Sequence, residues 1–177
     1  MQSLTARHDM RVIRARGISL IEVLVALLVV ALGMMGVASL ILQSLRTGYV
    51  ALTQTQAVNL VSDIEERIRA NPNGGDAYHC ATYRGGPVER GCAPDAGARA
   101  GSNCTASELA EDDLARWQSA VRVALPAVGS DACAANVEAL GVGAAGAEVF
   151  RISLGWQPPG APSPLSYVSD LLLALPR

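Results

Sequence analysis

The apolar positions of this chain fall into two unlike patterns. From Val23 to Leu42 the run is apolar all round and broken only by Ser39. As a helix of roughly 20 residues it matches the ~30 Å hydrocarbon core of a bilayer. From Gln43 to Ala70 there is no proline, and Leu45, Tyr49, Leu52, Val61, Ile64 and Ile68 recur at spacings of three, four and one longer gap, which predicts an amphipathic continuation of the same helix. A helix from Ile18 to Ala70 would be about 80 Å long. Asn71-Pro72-Asn73-Gly74-Gly75 stops it, because the residue before proline disfavours helix and glycine permits turns. Gly33 and Gly36 each cost the apolar helix about 0.8–1 kcal/mol relative to alanine. They fit either a segment that bends during assembly or close helix packing in a membrane.

Beyond the long helix the periods shorten. Gly74 to Asn103 is rich in Gly, Ala and Pro and reads as an irregular loop. Thr105-Ala106-Ser107-Glu108 has capping-box spacing, predicting a helix to Leu125 that Pro126 ends, with Ala110, Leu114, Trp117, Val121 and Leu125 on one face. Alternating Phe150, Ile152, Leu154 and Trp156 predict a strand with one buried side. Gln157 to Pro162 forms a turn, Tyr167 to Leu173 supplies an antiparallel partner, and Asn136 to Leu140 a further strand. The fold class is α+β: a long N-terminal helix, transmembrane then amphipathic, packed on a small antiparallel sheet.

Charge gives the long helix a direction. The net charge of −2 over 177 residues offers no basic footprint for nucleic acid. Yet Arg7, Arg11, Arg14 and Arg16 precede the apolar run, opposed there only by Asp9, and the next basic residue is Arg46. That asymmetry places the N-terminus in the cytoplasm and the remainder outside. No small-x-small cleavage site follows the run, so it reads as an anchor.

Candidate chemistry is sparse. Cys80, Cys92, Cys104 and Cys133 lie on the outer side and contain no close CxxC pair, so two disulfides are favoured over zinc. Three pairings are open, of which Cys80–Cys92 with Cys104–Cys133 is the most local. His79 beside Cys80 makes a poor nucleophile pair, since neighbours in sequence rarely converge on one site. Glu111, Asp112 and Asp113 diverge around a helix and read as a solvated helix start favoured by the helix dipole. Glu65, Glu66, Arg67 and Arg69 read as surface charge, and Trp117 and Trp156 as core anchors. No catalytic residue, metal or cofactor is expected.

The exception is Glu22, an acid at the edge of the apolar run. At a bilayer centre a carboxylate costs about 2.5–3.5 kcal/mol, and less at the interface. Its setting matters more: Arg16-Gly17-Ile18-Ser19-Leu20-Ile21-Glu22, then an unbroken apolar helix. This segment resembles the N-terminal signature of type IV prepilins and pseudopilins, with Ile18 in place of the commoner phenylalanine. The islands ERIRANPNG, DDLARWQSAVRVALP and FRISLGW look like minor pilins of the PilV or pilus-modification kind, in their usual order, whereas Tyr78 to Asn103 carries no resemblance.

The resemblance implies a type IV pilin-like fold and cleavage between Gly17 and Ile18 by a membrane-embedded prepilin peptidase. It also implies N-methylation of Ile18, and pairing of Glu22 with the amino terminus of a neighbouring subunit. The chain then divides into a basic leader (1–17), a transmembrane and assembly half of the helix (18–42), an amphipathic half (43–71) and a periplasmic head (72–177). Its expected setting is the inner membrane, single-pass with the head in the periplasm, and then the pilus at the cell surface. Its expected partners are the peptidase, the assembly platform, other minor pilins and the major pilin. The implied role is a non-enzymatic subunit that primes or joins a type IV pilus serving adhesion and twitching motility. Two alternatives stand: a minor pseudopilin of type II secretion, and an uncleaved single-pass periplasmic binding protein.

Overall fold

The structure, a computed structural model, describes residues 17–92, 104–129, 131–143 and 146–174. It contains α1 (Leu20–Ala70), two short 3-10 turns (Gly75–Tyr78 and Cys80–Thr82), α2 (Ala106–Ala124), and strands β1 (Ala135–Val142), β2 (Ala147–Trp156) and β3 (Leu165–Ala174). The strands form an antiparallel sheet in the order β1-β2-β3. The expected α+β arrangement, a long N-terminal helix with a small antiparallel sheet, is thus present. The chain divides into two compact units, one ending at Ser44 and the other beginning at Leu45.

In the first unit α1 begins two residues later than Ile18. The Ser19 carbonyl accepts the first bonds, from the Glu22 and Val23 amides at 3.0 and 3.3 Å. The helix runs without a break through Gly33 and Gly36, and every residue here is exposed.

In the second unit the remainder of α1, α2 and the sheet share one core. The buried stripe of α1 is Thr53, Ala57, Val61, Ile64 and Ile68. This corrects the expected stripe over its first turns, because Leu45, Tyr49 and Leu52 are exposed, Leu52 by 54%. Small residues take those places because bulk is supplied from opposite: Trp156 lies against Thr53, donating its indole N–H to Thr53 Oγ1 at 3.2 Å. Trp117 of α2 donates to the Leu60 carbonyl at 2.8 Å. Each ring thus brings apolar volume to the core and satisfies its polar atom on α1.

The capping box at the start of α2 is formed, with the Glu108 amide donating to Thr105 Oγ1 while the Thr105 amide donates to Glu108. Its five expected core residues, Ala110, Leu114, Trp117, Val121 and Leu125, are all buried. Phe150, Ile152, Leu154 and Trp156 form the inner face of β2. A register shift between Ala139 and Gly141 marks a bulge in β1, with Gly141 at φ 85°. It leaves Leu140 exposed at the strand's far end.

The segment after α1 is more ordered than an irregular loop. Tyr78 and Cys80 in its two 3-10 turns have no exposed surface, and Tyr78 packs edge-on against Phe150, ring centroids 6.4 Å apart. Gly74 permits this: a Cβ there would lie 2.6 Å from the Tyr78 ring and 2.8 Å from Asn71 Nδ2. The rest of that segment, residues 93–103, lies outside the described residues.

The corrected stripe is testable by denaturant titration of the full chain in micelles, read by tryptophan fluorescence. Ala57→Leu overfills a closed site and is expected to cost about 1–3 kcal/mol. Leu52→Ala, on the exposed side, is expected to change stability by less than about 0.5 kcal/mol.

Candidate functional site

The described residues hold two places where chemistry concentrates: the N-terminal end of α1, and the acidic segment of α2. At the first, Gly17, Ile18 and Ser19 precede the helix and Glu22 lies in its first turn, where the helix dipole favours a negative charge. Gly17 has open space around it, and Ile18 is 76% exposed. The Gly17–Ile18 bond therefore lies on accessible, non-helical backbone. Behind it the apolar window of α1 has no residue buried. The basic stretch before it, residues 1–16, lies outside the described residues.

The second place overturns the reading of Glu111, Asp112 and Asp113 as a solvated helix start. Their exposures are 7%, 0% and 6%. Successive residues point about 100° apart around a helix, and here each finds a different partner. Asp113 accepts from Arg67 Nη1 at 3.1 Å and from the Tyr78 hydroxyl at 2.9 Å. Asp112 accepts from the Arg90 and Gly91 amides at 2.6 and 2.8 Å, and from Arg116 Nε at 2.9 Å. Glu111 is bonded by the Arg90 guanidinium and by the Val88 amide. Buried carboxylates need such partners, because an ionised group without them is too costly to remove from water.

Arg67 is likewise more than surface charge. It is one-third exposed and also bonds Asp63, at 3.0 Å. Burial alone would lower its pKa, but the bonds to Asp63 and Asp113 outweigh this and raise it. The Tyr78 hydroxyl is pushed well above the ordinary phenol range, first by burial and further by the adjacent Asp113 carboxylate. Asn71 closes the group, donating to the Tyr78 oxygen at 3.3 Å and to the Ala106 carbonyl at 2.8 Å. Glu65 is also more than surface charge: its side chain is only 17% exposed, and it bonds Arg69 at 3.3 Å and accepts from Ser169 of β3 at 2.7 Å.

The cysteines pair as Cys80–Cys133 and Cys92–Cys104, one bridge nested within the other. The most local pairing is not the one adopted, because Cys80 is drawn into the core beneath α2. There Gln118 Nε2 lies 3.0 Å from its sulfur and donates to the Ala135 carbonyl at 3.2 Å. With Cys80 in a disulfide, no thiol remains beside His79. Among the described residues no group of three His, Cys, Asp or Glu side chains is arranged to hold a metal ion.

The acids thus act as a clamp, fastening the segment between the two helices. Sequence periodicity missed it because every partner but Arg116 is distant along the chain. The one local signal was Arg116 four residues after Asp112, the spacing of a helical ion pair.

Two protein-family models match this chain. One, described as type IV pilin Tt1218, covers residues 39–115, and the prokaryotic N-terminal methylation motif covers residues 13–38. No curated protein and no solved structure matches. The first match contains the later part of α1 and reaches into α2 as far as the acidic clamp. The second contains Gly17, Ile18 and Glu22.

Replacing Asp113 with Asn removes the charge facing Arg67 and is expected to cost about 1–3 kcal/mol of unfolding free energy in micelles. Tyr78→Phe, which leaves the Asp113–Arg67 pair in place, is expected to cost less. Removing Cys80–Cys133 by paired serine substitution is expected to cost about 1 kcal/mol more than removing Cys92–Cys104, since the closed segments differ as 53 to 12 residues. Thermal unfolding of the two double variants checks the order.

Proposed function

We propose, from the premise that the chain belongs to the type IV pilins, that it works as a minor pilin in the inner membrane. It is inserted with the basic leader in the cytoplasm and the head in the periplasm. Prepilin peptidase cuts between Gly17 and Ile18, and the new amino terminus is methylated. The processed chain joins other minor pilins, the major pilin and the assembly platform to prime a pilus or cap its tip, in the service of adhesion and twitching motility.

The observation that carries this reading is the N-terminal motif itself, set on accessible backbone at the head of a bare apolar helix. In that setting Glu22 has a physical role. An acid among apolar helices needs a cation, and the amino group released at Ile18 on a neighbouring subunit is one of suitable charge. Pairing is specific for a correctly processed neighbour, because an uncut chain has its amino terminus at the far end of the leader. The work of this subunit is assembly. Its head holds its buried acids in structural bonds, and its cysteines are consumed in bridges.

The test is intact-mass and N-terminal peptide mass spectrometry of the protein from its native membrane, with and without active prepilin peptidase. A chain beginning at N-methylated Ile18, seen only with the peptidase, is the expected result; an unprocessed chain in both strains would overturn it. Glu22→Ala is expected to be processed normally yet to fall to background in sheared pili.

A further inference from the structure

One cation stands alone on its stretch of chain. Arg46 is the only charged residue between Glu22 and Asp63, and the segment facing it, between Arg151 and Asp170, carries no charge at all. Arg46 is exposed, and no ion pair of its side chain occurs among the described residues. It lines a cavity of about 310 Å³ with Val50 of α1 and with Pro159, Gly160, Pro162 and Leu165 at the β2–β3 connection. Gly160 adopts φ 78°, and a Cβ there would lie 3.9 Å from Arg46 Nε, so the guanidinium runs beside the tip of the loop.

We propose that this cavity binds the phosphate headgroup of an anionic phospholipid, with Arg46 as the charge that selects it. Three observations favour that occupant. Arg46 lies four residues after Leu42, the end of the apolar run, and so about 6 Å further along α1, the depth at which a headgroup meets a spanning helix. The rest of the lining is chiefly aliphatic and proline, which suits the glycerol and upper acyl region of a lipid better than a water-soluble anion. Tyr49, in the next turn and 41% exposed, has the amphipathic ring found where a helix crosses the membrane interface. Arginine adds planar, paired donors that match phosphate oxygens. The site would hold the subunit against the bilayer before assembly and be vacated when the chain leaves the membrane.

This inference rests on the membrane anchoring proposed above. The experiment uses the full chain in nanodiscs of equal phosphatidylglycerol and phosphatidylcholine, with the lipids that remain bound on release identified by native mass spectrometry. Wild type is expected to retain phosphatidylglycerol about fivefold over phosphatidylcholine, the gain of one arginine at an anionic surface. Arg46→Gln is expected to abolish the preference with tryptophan fluorescence unchanged, and Arg69→Gln, at the other end of the amphipathic segment, to keep it. Excess inorganic phosphate should not displace the lipid; displacement would make the site one for free anions and overturn the proposal. An unchanged preference in Arg46→Gln overturns it too. So does equal retention of both lipids by wild type, and if Arg46→Gln is then lost from sheared pili, the cavity is a contact between subunits. A chain that fails to enter the nanodisc overturns the anchoring reading as well, whereas entry without preference overturns only this inference.

Discussion

The burial of Asp113 constrains the second unit of this protein more than any other single feature. A carboxylate at 6% exposure is tolerable only with a cation and hydrogen-bond donors in place. Arg67 and Tyr78 supply them from elements 46 and 35 residues away. Arg67 immediately precedes Ile68 in the buried stripe of α1, while Asp113 immediately precedes Leu114 on the buried face of α2. The ion pair and the apolar contact are thus set side by side. A slip of either helix by one turn, 5.4 Å, would break both together. Such a pair contributes less to net stability than to the choice of one register, since desolvation cancels much of its attraction.

The two acids before Asp113 extend that constraint to the chain between the helices. Because they are consecutive on one helix they face different directions, and so they hold different things. Asp112 collects the Arg90 and Gly91 amides, and Glu111 the Arg90 side chain and the Val88 amide. Cys92 and its bridge to Cys104 come directly after. The segment is therefore pinned by charge-assisted bonds to its amides and then by a covalent bond, in a region with few large apolar side chains. Burial of Tyr78 and Cys80 secures its earlier part.

Local regularities were legible in the sequence and distant partnerships were not. The apolar run, the capping box at Thr105, the core face of α2 and the alternation of β2 each depend on spacings of two to four residues, which periodicity reads directly. The stripe of α1 was misplaced at Leu45, Tyr49 and Leu52 because hydropathy favours large apolar residues, whereas at Thr53 a ring from β2 lies against the helix and little room is needed on α1. The acidic triplet was misread for a related reason. Its divergence around the helix was correctly inferred, but solvation followed only if nothing covered that side, and the covering strap comes from residues more than twenty positions upstream. The disulfide pairing was likewise settled by where the core draws Cys80, a matter on which sequence proximity carries no information.

The same scarcity explains why α1 is the reference for the head. Aromatic residues make up only 4% of the chain, and four of them, Trp117, Trp156, Tyr78 and Phe150, are among the largest fully buried side chains. A core otherwise built of Ala, Val, Leu and Ile depends on those rings for volume. Three of the four also carry a polar atom that must be satisfied: the two indoles find partners on α1, the Leu60 carbonyl and Thr53 Oγ1, and the Tyr78 hydroxyl gives its proton to Asp113, which Arg67 of α1 holds. Core volume and polar satisfaction therefore converge on one stretch of helix beginning at Thr53. Among the described residues nothing before Thr53 is buried. The chain spends its bonding capacity on the later half of α1 and leaves the earlier half bare, and a bare apolar helix of that length is stable only against lipid or against other helices like itself.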